Sequence, residues 1–307
     1  MNSKKTNWLF LTIILAHFAA LFFLIRMGEG INFTMAANCI VSELIILVPG
    51  LVFLAASRGN WNENLGFAKV RISSLLLVVL FTFLSMPLVT VLNAFSMLFA
   101  ENAVVSMESG ILEVGFPGML FLIGIYGPFC EEFVFRGMIF RGYKKSGSTF
   151  WAILLSSLLF GLMHMNINQA IYAFAIGILL ALLVEATGSL WGSIFCHMVF
   201  NSSQVVLMFS AQWLQNSVYG EVLEESGEAG ITPDMLLMVI SVYLIIAAIT
   251  TPLAFCVLAY IAKRQGREEN LKQIWSTRKE KKEYLVSIPL VLSIVVCLAY
   301  ISMELLF

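Results

Sequence analysis

Long apolar runs broken by short polar segments dominate the chain. A helix that crosses the hydrocarbon of a bilayer needs about 20 residues. Nine runs of that kind stand at about 8–25, 33–56, 73–99, 117–143, 149–166, 169–186, 189–211, 235–261 and 285–305. The fourth is the least regular, because Gly127, Pro128 and a charged cluster interrupt it. The fifth and sixth are separated by little more than Asn166-Ile167-Asn168, and the sixth and seventh by Thr187-Gly188. Turns this tight make antiparallel neighbours. No Pro/Ser-rich linker, low-complexity tract or periodic repeat divides the chain. The pattern therefore predicts an all-α polytopic helical bundle, one integral domain over 1–307. The first run has a basic start, but its apolar stretch is long for a signal-peptide core and no small-x-small site follows closely. It reads as an uncleaved anchor.

Composition narrows the class. Of 307 residues 60% are hydrophobic and 12% charged, with a mean hydropathy of +0.90. A soluble domain carries roughly 45–50% apolar and about 25% charged residues, so a soluble enzyme and a disordered regulator are excluded. The net charge of -1 leaves no basic field to hold a polyanion, so no nucleic acid is expected as a partner. The five cysteines (Cys39, Cys130, Cys196, Cys256, Cys297) all lie in apolar runs without CxxC or zinc-ribbon spacing. They read as small buried apolar residues.

The basic residues orient the spans. With Lys4 and Lys5 in the cytoplasm, loops 57–72, 143–148, 187–188 and 262–284 fall on the same side. Of 18 Lys and Arg, Arg136 lies deep in the fourth run and only Arg26 falls opposite. The other 16 (18 less these two) share one side, as the positive-inside rule requires. The expectation is nine spans in a bacterial plasma membrane, N-terminus cytoplasmic and C-terminus outside. The basic cytoplasmic loop 262–284 also carries Glu268, Glu269, Glu280 and Glu283, so it reads as a topology determinant rather than a lipid-binding patch.

Charges inside a bilayer cost several kcal/mol each and mark function by default. The interior set is Glu43, Glu131, Glu132, Arg136 and three histidines, His17, His164 and His197. Glu185 and Glu304 sit near span ends, where they can snorkel to water. Glu43 reads as a helix-packing hydrogen bond and His17 as a lone interhelical donor. The run Glu131-Glu132-Phe133-Val134-Phe135-Arg136 is different. On a helix Glu132 and Arg136 are i,i+4 with the acid first, the favourable order for an ion pair. Glu131 then points about 100° away and lacks that partner. A packing pair needs one carboxylate, and a second one held away from water suits a general base.

Phe160 and His164 share one helix face, as do His197 and Asn201. Counted from helix ends near 143, 148 and 188, Glu131, His164, His197 and Asn201 lie roughly 18, 24, 14 and 20 Å deep. Short loops force these spans together, so a shared polar pocket at mid-membrane is expected. Imidazoles and a carboxylate can bind a divalent metal or deprotonate a water directly. Asn201 and one histidine can support an oxyanion. No HExxH or GxSxG is present, and the single aspartate, Asp234, excludes an aspartyl dyad. The competing reading is a non-catalytic transporter or scaffold that uses the buried Glu/His set as a proton relay or helix-docking site.

The order EExxxR, FxxxH, HxxxN on successive helices resembles the CPBP (Abi) family of intramembrane proteases, which includes CAAX prenyl endopeptidases and bacteriocin-processing or self-immunity proteins. Here the motifs are Glu131, Glu132 and Arg136, then Phe160 and His164, then His197 and Asn201. Thr187-Gly188-Ser189-Leu190 fits as well, and Leu65-Gly66-Phe67 is a fainter echo. The likeness covers about 117–205. It implies a proteolytic core in which Glu131 activates the attacking water with His164. His197 and Asn201 would hold the scissile carbonyl, and Glu132 with Arg136 would support the first motif. The implied substrate is a membrane-associated peptide or protein. A zinc-like divalent metal on Glu131, His164 and His197 and a metal-free glutamate–histidine water are both compatible with these residues.

Overall fold

Within lipid a backbone must satisfy its own hydrogen bonds, so apolar runs become helices. The computed structural model describes residues 2–27, 33–57, 61, 65–102, 107–145, 147–218, 232–280 and 284–304, and each of the nine runs is helical in it. They are α1 (Ser3–Met27), α2 (Met35–Ala55), α3 (Ile72–Ser96), α4 (Phe116–Lys144), α5 (Thr149–Met163), α6 (Ile167–Thr187), α7 (Leu190–Val218), α8 (Pro233–Arg264) and α9 (Ile288–Glu304). Side-chain caps fix several starts: Thr34 for α2, Ser148 for α5, Asn166 for α6, and Thr232 before Pro233 for α8.

Seven of these helices, α1–α4 and α6–α8, are long and apolar enough to cross a membrane by length and composition. The chain is an all-α polytopic membrane protein. The other two, α5 with 15 residues and α9 with 17, are shorter. At 1.5 Å per residue they reach about 22 and 26 Å, against roughly 30 Å of hydrocarbon. Arg58, Lys281, Lys282, Glu283 and most of the 212–234 loop lie outside the described residues, as does the side chain of Glu304.

Burial is uneven across the spans. The apolar stretch of α6 is 61% buried and that of α4 56%, whereas α8 is 11% buried and presents most of its surface to lipid. Small residues let α5 and α6 approach, as in other membrane bundles. A Cβ on Gly161 would stand 2.6 Å from the carbonyl oxygen of Ala170, and one on Gly177 2.8 Å from Ser157 Cβ. Because backbone blocks the first, Gly161→Ala is expected to destabilise the protein by about 1–3 kcal/mol. Thermal unfolding in detergent checks this, with a lowered Tm as the expected result.

Residues from loops expected on one side of the membrane meet at one end of the bundle. Asn7 Nδ2 donates to the carbonyl of Leu285 (2.8 Å), and Tyr143 Oη donates to Asn7 Oδ1 (2.6 Å). Ser189 Oγ donates to the Ala68 carbonyl (2.6 Å). The 262–284 segment folds back here through a helix at Glu268–Gln273 and a 3-10 turn at Ser276–Lys279. This corrects the reading of Glu185 as a snorkelling residue. Its side chain is 3% exposed and is held by Lys144 and Arg267, so cations come to the carboxylate instead of the carboxylate reaching water. All five cysteines are free; Cys130, Cys196 and Cys297 are buried, Cys39 is half-buried, and Cys256 is exposed on α8.

Candidate active site

α4 is not uniform. Residues Gly127–Val134 form an α-helical segment between two π-helical ones, Leu122–Tyr126 and Phe135–Phe140. Each π segment widens the helix locally, a feature frequent at functional sites. The central segment carries both acids. Glu132 is fully buried and its Oε1 accepts from Arg136 Nη1 at 2.7 Å, the expected i,i+4 pair. Glu131, one residue earlier, is 15% exposed and turns elsewhere.

The second and third motifs converge on this pair. His197 on α7 lies between the two acids, with Nδ1 3.2 Å from Glu132 Oε1 and Nε2 3.6 Å from Glu131 Oε2. Glu132 Oε1 is also the acceptor of Arg136, so in this contact it accepts again and His197 Nδ1 donates. Glu132 thus orients His197 as well as pairing with Arg136, a contact across 65 residues that helical spacing does not reveal. Phe160 ties the three motifs together. The Arg136 guanidinium stacks over its ring at 4.2 Å. The ring meets His164 edge-on at 5.1 Å and His197 at 5.9 Å.

His164 stands at the end of α5, as its C-cap, rather than within the helix. Met165 follows in the left-handed region, with φ 53°. That conformation costs a non-glycine residue about 1–3 kcal/mol and is retained where the surroundings enforce it. It frees Asn166 to cap α6 and leaves the histidine at the mouth of the turn. His164 Nδ1 lies 2.9 Å from the Phe160 carbonyl, which can only accept, so Nδ1 donates there and Nε2 is left for another partner. Asn201 Nδ2 donates to the Ile123 carbonyl at 3.1 Å, in the first π segment. Its second N–H is left for another acceptor.

Glu131, Phe160, His164, His197 and Asn201 line one cavity of about 410 Å³. Glu132 and Arg136 sit behind its wall. Asn93, Gln169 and Gln204 also face it, as does Glu43, which sequence reasoning assigned to helix packing. Among the described residues Glu43 Oε2 is buried without a hydrogen-bond partner. His17 does not line the cavity. A second cavity of about 430 Å³, beside Trp151, Leu158 and Tyr284, is walled by apolar side chains with Glu280 at its edge. The first holds the reactive groups and is the candidate site. Among the described residues no three His, Cys, Asp or Glu side chains gather closely enough to hold a metal ion.

Residues 113–203 match the family described as Type II CAAX prenyl endopeptidase Rce1-like. The chain is also similar to a Bacillus subtilis (strain 168) protein named "Putative membrane peptidase YdiL", with 33% identity over 91 residues. That match covers 30% of this chain and 37% of the relative, so the chain spans little more than a third of that protein's length. No solved structure matches the chain. α1, α2, α3, α8 and α9 lie outside the matched segment, whereas all three motifs lie within it. Residues 113–203 of this integral membrane chain, which hold all three motifs, are thus similar to an Rce1-like CAAX prenyl endopeptidase segment.

Proposed function

We propose that the protein is an intramembrane endopeptidase that hydrolyses a peptide bond of a membrane-associated peptide or protein. The observation that carries this reading is Glu131: a carboxylate in the cavity wall, free of Arg136, beside His197 and in the same cavity as His164. The Rce1-like match and the peptidase named above support the same reaction class.

The reaction begins with a water held between Glu131 and His164 Nε2. Glu131 takes a proton from it, and the new hydroxide attacks the scissile carbonyl carbon. A C–O bond forms and the carbonyl oxygen becomes an oxyanion, which accepts from the spare N–H of Asn201, with His197 beside it. The proton on Glu131 then passes to the amide nitrogen as the C–N bond breaks, giving a carboxylic acid and an amine, which leave as carboxylate and ammonium once the acid's proton moves to the amine. A positioned base contributes about 10²–10⁴-fold, and one oxyanion donor about 10²–10³-fold. Glu132 and Arg136 act through His197. Glu131, His164 and His197 are the residues that would hold a zinc-like ion, and metal analysis of the purified protein beside its activity with and without chelator tests for one.

A trapping screen in cells tests the reading. Glu131→Ala and His164→Ala proteins are expected to hold membrane peptides that the wild type releases as fragments. Unchanged processing of every membrane peptide in both variants would overturn it.

A further inference from the structure

Glu43 stands on α2, outside the family-matched segment, yet it lines the same cavity as Glu131. Gly127 sets its place. A Cβ on Gly127 would lie 3.3 Å from Glu43 Oε1, so the carboxyl packs against a bare patch of α4. Positions 127 and 131 share a helix face, four residues or about 6 Å apart along the axis. Glu43 therefore borders the cavity one helical turn from Glu131. Its Oε2 is buried with no donor to receive, and an orphaned buried acceptor is costly until a partner arrives.

The charges around it define that partner. Among the described residues the cavity wall contains Glu43 and Glu131 but neither lysine nor arginine. Arg136, the nearby cation, is committed to Glu132 behind the wall. His197 is engaged with Glu131 and Glu132, and His164 Nδ1 with the Phe160 carbonyl. Two acids in a weakly polarisable cavity repel one another when both are ionised, and a ligand that brings positive charge relieves that repulsion where a neutral one does not. An extended peptide advances about 3.3 Å per residue, so one helical turn corresponds to about two residues of substrate.

We propose that Glu43 is a specificity-determining residue that receives a lysine or arginine side chain of the substrate, about two residues from the bond presented to Glu131. The inference rests on the peptidase reading for its substrate, but its test does not depend on turnover.

The full chain in lipid nanodiscs is titrated with a short fluorescent Ala/Leu host peptide carrying a single Lys, Leu or Glu at successive positions. Binding is read by anisotropy and cleavage by mass spectrometry. Wild type and Glu131→Gln are expected to bind the best Lys peptide about tenfold more tightly than its Leu counterpart, and the Glu peptide more weakly. Glu43→Gln should erase this preference while keeping affinity for the Leu peptide, and Glu43→Asp should retain part of it. Equal binding of Lys and Leu peptides by the wild type overturns the assignment. So does a preference that survives Glu43→Gln, or the absence of any peptide binding. The wild-type comparison decides the matter even where the Gln variant fails to fold. A Lys preference with no cleavage of any peptide leaves the Glu43 assignment standing and counts against the peptidase reading.

Discussion

Glu131→Gln is expected to lower peptide cleavage about 10²–10⁴-fold, the usual worth of a positioned general base, while leaving the fold intact. Glutamine keeps the volume and one acceptor oxygen but cannot take a proton from water. The side chain is partly exposed in the cavity and has no arginine partner, so stability should change by no more than about 0.5 kcal/mol. The measurement pairs cleavage kinetics with thermal unfolding of the same preparation. A structural role for Glu131 would give the opposite pattern, with a lowered Tm and activity lost only in proportion to unfolded protein.

Arg136→Leu should have the largest effect on stability. Arg136 is 1% exposed and Glu132 0%, so the pair is removed from water. Glu132 Oε2 and Arg136 Nη2 have no further partners, which makes the intact pair a poor source of net stability. Breaking it is another matter, because a buried carboxylate left without its counter-charge costs about 3–5 kcal/mol even with His197 still donating to it. That is a large share of the roughly 5–15 kcal/mol that holds a domain folded. Loss of most of the folded protein is expected, read as detergent-resistant monodisperse protein and as Tm. Removing both charges in Glu132→Leu/Arg136→Leu should recover much of the stability. Activity should not follow, because His197 loses the carboxylate that orients it, a loss of about 10–100-fold by analogy with other orienting carboxylates. Recovery of both together would reduce the pair to packing.

The parts of this account that depend on near neighbours along the chain were legible in the sequence. Helical periodicity put Glu132 on Arg136 and Phe160 on His164, and both contacts are present. Length and hydropathy located every long helix, and tight turns forecast the pairing of α5 with α6. What escaped lies between elements or in departures from regular geometry. The π segments that flank Glu131 leave no mark in apolar periodicity. The turn that places His164 rests on a left-handed methionine, a residue with no preference for that conformation. Glu132 reaching His197, Arg267 reaching Glu185, and Glu43 facing Glu131's cavity all depend on tertiary contact. Gly127, read as an irregularity, turns out to make room for Glu43.

The central claim is that Glu131 delivers water to a peptide bond inside the membrane. It is tested most directly by incubating reconstituted protein with a membrane peptide in ¹⁸O-labelled water and weighing the products. Wild type should release a fragment whose new C-terminal carboxyl carries one solvent oxygen, and Glu131→Gln should release almost none. Equal release of that labelled fragment by the folded Glu131→Gln protein would contradict the claim.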